Sequence, residues 1–111
     1  MKSVYLIGIC GTAMATLAAM LKAKGYEVRG SDANIYPPMD QFLSDQGIKP
    51  LLGYDEKHIT EDIDLVVVGN AVSRGNPEVE AMLDRHLRYA SFPEVLRDTF
   101  LWDKHPVVVA G

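Results

Sequence analysis

The chain has 111 residues, 48% hydrophobic and 23% charged, which is the scale of one globular domain with a real core and too short for two. Its formal charge of -4 and pI near 5.2 exclude a general nucleic-acid or membrane-surface role, so an anionic ligand must be held by local geometry rather than by a basic field. A single cysteine excludes an internal disulfide and fits a reducing, cytoplasmic compartment; no apolar run approaches the roughly 18 residues of a membrane span, and no secretory leader is expected.

In chain order, apolar runs alternate with amphipathic helical patterns. Val4 to Ile9 reads as the first strand, followed by a helix whose Met14, Leu17, Ala18 and Leu21 recur at helical spacing and which Gly25 is placed to stop. Tyr26 to Gly30 reads as a second strand. A polar loop, Ser31-Asp32-Ala33-Asn34, leads to a short helix beginning near Pro38, with Met39, Phe42 and Leu43 turned inward and Gly47 ending it. Ile48 to Leu52 is a short third strand, and Leu65 to Gly69 a fourth whose unbroken apolar character predicts burial on both faces. Asn76-Pro77 supplies an N-cap with proline at the first helical position, and Val79, Met82, Leu83 and Leu87 form the stripe that helix buries. Leu87 to Ala90 is a candidate short strand. Ser91-Phe92-Pro93-Glu94 has capping-box spacing ahead of a helix burying Phe92, Val95, Leu96 and Phe100, and Pro106 to Ala110 reads as a last strand. The alternation predicts an α/β fold: a Rossmann-like parallel sheet of about five strands with helices on both faces and a ligand site at the carboxyl ends of the strands.

The run Gly8-Ile9-Cys10-Gly11-Thr12-Ala13-Met14 carries the chemistry, because an apolar strand enters a glycine-punctuated turn that opens a helix. Glycines let the backbone approach a ligand, and the unpaired N–H groups and positive dipole end of the helix face an anion. The bland alternative is a tight strand-helix connection with no ligand. As a dinucleotide fingerprint the loop is incomplete, with Cys10 and Ala13 where the third and sixth glycines belong. Asp32, at the end of the second strand, is placed either to accept from ribose hydroxyls or to cap its own turn. No Gly-Lys pair occurs anywhere, so a lysine cradle for ATP phosphates is absent.

Three segments in order, Gly8 to Met14, Gly30 to Met39 and Gly69 to Pro77, resemble the N-terminal domain of the Mur ligases over essentially the whole chain. Within that family the likeness is greatest to the branch that joins a murein tripeptide to UDP-N-acetylmuramic acid in peptidoglycan recycling; the L-alanine-adding branch tends to carry more glycines in the first loop. The resemblance implies a domain that binds the UDP part of UDP-N-acetylmuramic acid. A central domain would use ATP and Mg²⁺ to form an acyl phosphate, and a C-terminal domain would present the peptide amine. The run Val107-Val108-Val109-Ala110-Gly111 would then lead into the ATP loop, so the 111 residues are expected to be an excised N-terminal domain that binds one substrate, holds no cofactor of its own and turns over nothing.

By the same resemblance Gly8, Cys10, Gly11, Thr12, Ala13 and Met14 would offer backbone N–H groups to the pyrophosphate. Ser31, Asp32 and Asn34 would approach the ribose or uracil, and Asn70, Ala71, Ser73 and Arg74 would line the same sheet edge, Arg74 either on a phosphate or in solvent. No residue is expected to be catalytic. The opposing reading is an NAD(P)-binding oxidoreductase domain, which shares the strand, the turn and Asp32; a non-catalytic nucleotide sensor is a third. Cys10 reads as a small turn residue in preference to an activated thiol. His58, His86 and His105 lack metal-ligand spacing, and Asp62 with Asp64 and Glu78 with Glu80 read as solvated or dipole-favoured carboxylates. Tyr36-Pro37-Pro38 either shapes the muramoyl side of the site or starts a helix, and Trp102 either closes the core or faces another domain.

Overall fold

The computed structural model describes residues 3–35, 37–69, 72, 75–95 and 97. Its elements are β1 (Ser3–Ile7), α1 (Thr12–Ala23), β2 (Glu27–Asp32), α2 (Met39–Asp45), β3 (Leu51–Leu52), a 3-10 turn (Glu56–His58), β4 (Leu65–Val68), α3 (Pro77–Asp84), β5 (Tyr89–Ser91) and α4 (Phe92–Val95). The five strands form one sheet in the order β3-β2-β1-β4-β5, and every pairing is parallel. The expected Rossmann-like α/β architecture is therefore the one found. The expected strand at 106–110 and the side chains of Phe92, Leu96, Phe100 and Trp102 lie outside the described residues.

Alternation along β1 divides its side chains between two cores. Val4 and Leu6 pack with α1 and α2 through Leu17, Leu21 and Leu43, whereas Tyr5 and Ile7 pack with α3 through Val79 and Met82. In β4, Val67 joins the first core and Val66 the second, so this strand is buried on both faces as its composition predicts.

Where element ends depart from the sequence reading, competing hydrogen bonds account for the shift. β1 stops at Ile7, not Ile9, because Gly8 turns to φ +87° and the N–H groups of Gly8 and Ile9 both donate to the Ser31 carbonyl, at 2.8 and 2.9 Å. Tyr26 is held back from β2 by its N–H bond to the Leu21 carbonyl at 3.1 Å, and pairing instead runs on through Ser31 and Asp32. The Ile48 N–H likewise closes α2 on the Leu43 carbonyl at 2.9 Å, and Pro50 has no N–H, so β3 is confined to Leu51–Leu52 at the sheet edge. β5 begins at Tyr89 rather than Leu87, whose N–H is spent on the Met82 carbonyl at 3.1 Å. The 3-10 turn, capped by Asp55 through the Lys57 N–H, has no apolar period and was not anticipated.

Caps are found where their residue types place them. The Asn76 Oδ1 accepts from the Glu78 and Val79 N–H groups at 2.8 and 3.4 Å with Pro77 following it. The capping box at α4 is reciprocal: the Ser91 N–H donates to Glu94 Oε1 at 2.8 Å and the Glu94 N–H to Ser91 Oγ at 3.4 Å.

Candidate functional site

The crossovers place α1 and α2 over one face of the sheet and α3 over the other, so the order in which strands are laid across the sheet reverses between β1 and β4 while all of them stay parallel. A crevice outside the carboxyl ends of the strands at such a switch point is where open α/β sheets hold ligands. Here the loops after β1 and β4 meet: a Cβ on Gly8 would lie 3.1 Å from Val72 Cγ2, and one on Gly69 would lie 3.2 Å from the Ile7 carbonyl oxygen. Gly8, at φ +87°, is required both by its backbone and by that approach.

The amides of the first loop fall into two groups. The Gly8 and Ile9 N–H groups are taken by the Ser31 carbonyl, and the Cys10 N–H donates to Asp32 Oδ2 at 3.0 Å. Gly8 and Cys10 are therefore not free amide donors, contrary to the sequence expectation; the end of β2 consumes both. Gly11 makes a long 3.4 Å contact with the Gly8 carbonyl. Thr12, Ala13 and Met14 then form the first turn of α1, ahead of the first intrahelical bond from the Ala15 N–H to the Gly11 carbonyl at 2.7 Å. Gly11 is the N-cap and supplies no side chain to accept from these amides. Gly11, Thr12 and Ala13 are exposed at this edge of the sheet, whereas the Met14 side chain is buried.

Asp32 stands between two roles. Its Oδ2 holds Cys10, and its Oδ1 accepts from the Asn34 N–H at 3.3 Å, closing its own turn. Both bonds are of the capping kind, while the side chain remains half-buried at the loop mouth. Asn34 is exposed beside it. Ser31 is a correction: its side chain is fully buried and its hydroxyl donates to Glu78 Oε1 at 2.5 Å on the α3 face, so it does not reach the crevice. Asn70, Ala71, Ser73 and Arg74 lie outside the described residues, as does Tyr36.

Burial pushes the Cys10 thiol above its ordinary value, and the carboxylates of Asp32 and Asp40 add to this. The helix start does not activate it, in agreement with its reading as a small turn residue. Tyr54 was not singled out from the sequence, yet its phenol belongs to this edge. Burial first and the Asp32 charge second raise its pKa, and the Ala33 backbone opposes the rise.

Glu78 was missed more seriously. Read with Glu80 as solvated or dipole-favoured, it does lie in the first turn of α3 but is 0% exposed. Its Oε1 accepts from Ser31 Oγ, and its Oε2 accepts from the Tyr5 hydroxyl at 3.1 Å and the Asp55 N–H at 3.1 Å, with His58 Nδ1 2.6 Å away. His58 is thus half-buried in a network rather than a surface residue. A four-partner carboxylate requires three separate chain segments to converge, and local pattern carries no signal of that.

Two hollows flank β5. One of about 490 Å³, lined by Val4, Asp64 and Leu65, opens at the amino ends of the strands and contains none of the loop residues. The other, about 530 Å³, reaches Gly69 and Val72 from the α3 side. Among the described residues no group of three or more His, Cys, Asp or Glu is arranged to hold a metal ion, and no helix is long and apolar enough to cross a membrane.

A five-stranded parallel sheet with helices on both faces and a glycine loop at its switch point defines the class as a Rossmann-like α/β domain. The profile of the Mur ligase family, catalytic domain, matches residues 3–101, and the chain belongs to that family. It is 47% identical over 97% of its length to the Escherichia coli (strain K12) UDP-N-acetylmuramate--L-alanyl-gamma-D-glutamyl-meso-2,6-diaminoheptandioate ligase, of which it covers 24%. The crystal structure of a murein peptide ligase from Psychrobacter arcticus superposes at TM-score 0.87 with 46% identity, over 92% of this chain and 21% of that one. A UDP-N-acetylmuramate--L-alanine ligase from Psychrobacter sp. is 36% identical over 99% of this chain and 22% of its own length. The chain thus spans about a quarter of the length of the curated relatives it matches.

Proposed function

We propose that the chain is the domain that binds UDP-N-acetylmuramic acid for an ATP-dependent ligase joining a murein tripeptide to it in peptidoglycan recycling. The observation that carries the reading is the row of open amides at Thr12, Ala13 and Met14, at the start of a 12-residue helix and at the switch point of the sheet. An anion there meets N–H donors and the positive dipole end together. Hydrogen bonds to a charged group contribute roughly 1.5–3 kcal/mol each, so two or three hold a pyrophosphate despite the acidic chain. Asp32 and Asn34 stand where the nucleoside side would lie, and Asn70, Ala71, Ser73 and Arg74 belong to the proposed site by sequence.

The donor part of the reading does not depend on the acceptor. The names of the tripeptide-adding and the L-alanine-adding relatives begin with the same UDP sugar, and the greater identity to the tripeptide enzymes favours that branch. ATP and Mg²⁺ belong to the proposal for the full-length enzyme. This chain has no Gly-Lys pair to hold ATP phosphates and none of its residues is assigned to either, so catalysis is placed outside it, in a cytoplasmic enzyme of three domains.

Calorimetric titration with UDP-N-acetylmuramic acid, with NADH and ATP as controls, tests the reading. Saturable binding of the UDP sugar alone is expected. Binding of NADH in its place would transfer the domain to the oxidoreductases, and silence to all three ligands would remove the site from this chain.

A further inference from the structure

The three loops at the carboxyl edge share one buried anchor. Glu78 sits at the second position of α3, directly after the loop from β4, and its backbone is fixed by the Asn76 cap. Its carboxylate reaches across the sheet to Tyr5 on β1 and Ser31 on β2, and outward to the turn at Asp55 and His58. Ser31 is the residue whose carbonyl receives the Gly8 and Ile9 N–H groups, and its neighbour Asp32 receives that of Cys10. One carboxylate therefore grips from below the strand end that aims the amide loop from above.

We propose that Glu78 is a positioning residue for the nucleotide loop: through the Ser31 hydroxyl it fixes the end of β2, and through β2 the orientation of residues 8–14. The inference rests on the reading of that loop as an anion cradle, and it assigns Glu78 no contact with the ligand. A helix start supplies donors that point along its axis, but the angle at which they meet a pyrophosphate depends on how the preceding turn is held. Here the turn is held by acceptors on β2 alone for Gly8, Ile9 and Cys10. An interior carboxylate with four partners resists displacement because each lost partner leaves a buried polar atom unsatisfied.

The test compares the wild-type chain with Glu78→Gln, Ser31→Ala and the double variant, by amide hydrogen exchange and by titration with UDP-N-acetylmuramic acid. Exchange at the Gly8 and Ile9 amides is expected to quicken about tenfold in each single variant, while Leu17 and Val28 stay as in the wild type. Affinity for the UDP sugar should fall by about the same factor, and the double variant should add nothing further, since both changes cut one connection. A uniform rise in exchange, no rise, or losses that sum in the double variant would overturn the proposal. If Glu78→Gln does not fold, Ser31→Ala decides by the same comparison, and failure of both makes the network a requirement of folding and ends the positioning role. A wild-type chain that binds no UDP sugar counts against the proposed function; the exchange pattern needs no ligand and still decides on Glu78.

Discussion

At the scale of single residues, space and burial set measurable consequences. A Cβ at Gly30 would fall 2.6 Å from both Ile9 Cδ1 and the Leu6 carbonyl oxygen, so Gly30→Ala has to push strand backbone aside. A loss of roughly 2–3 kcal/mol is expected, read as a lower urea midpoint. Cys10 is buried with its thiol raised, and native alkylation by iodoacetamide at pH 8 should run at least about tenfold slower than in the urea-unfolded chain, as followed by mass spectrometry. The Tyr5 phenol is held far above its ordinary value, by burial first and by the Glu78 charge in addition. Because the folded pKa is raised, the unfolded chain gives up this proton first. The stability it contributes is complete below the ordinary tyrosine pKa of about 10 and drains away as pH rises from there. Urea midpoints at pH 8 and pH 11 should therefore differ, and Tyr5→Phe should shrink the difference. Tyr54 and Cys10, both also raised, would contribute to the remainder.

At the scale of elements, the helices depend on their ends. Asn76→Ala removes the acceptor for two α3 amides and should cost about 1–2 kcal/mol in urea unfolding. The effect should exceed that of an exposed change in the middle of the helix. The termini also explain how much was legible. Helix existence and the caps Asn76 and Ser91 were readable because their signals are local: a residue type, a spacing, a proline. Strand ends were misjudged by one to three positions, because Tyr26, Ile48 and Leu87 are apolar residues whose N–H groups close the preceding helix instead of joining the sheet. Hydrophobicity does not tell those two fates apart.

At the scale of the whole molecule, ligand and fold are linked. A ligand that binds only the folded chain stabilises it by about 2.7 kcal/mol at a hundredfold excess over Kd. For a domain of this size that corresponds to a Tm rise on the order of 10 °C, and UDP-N-acetylmuramic acid should produce it where NADH does not. Replacement of Thr12 by proline keeps a residue type tolerated at the first helical position but deletes one of the open amides. It should weaken binding by about tenfold with little effect on the urea midpoint, a contrast that separates the amide cradle from the core.

By itself the chain determined its class, its order of strands and helices, its glycine loop and the family it resembles, since each of these is written in period, composition and short motifs. Only the tertiary structure decided which members of the loop remain available. Gly8, Ile9 and Cys10 spend their amides on β2, because it runs on to Asp32 and brings two acceptors beneath the turn, while Thr12, Ala13 and Met14 keep theirs as the first turn of α1 behind a glycine cap. It also decided that Ser31 faces inward and that Glu78 is buried. A carboxylate in the first turn of a helix reads as solvated or dipole-favoured in any local window. Its burial follows from the convergence of β1, β2 and the turn at 55–58 on one point, a relation between segments far apart in sequence that hydrogen bonds settle only when the sheet is assembled.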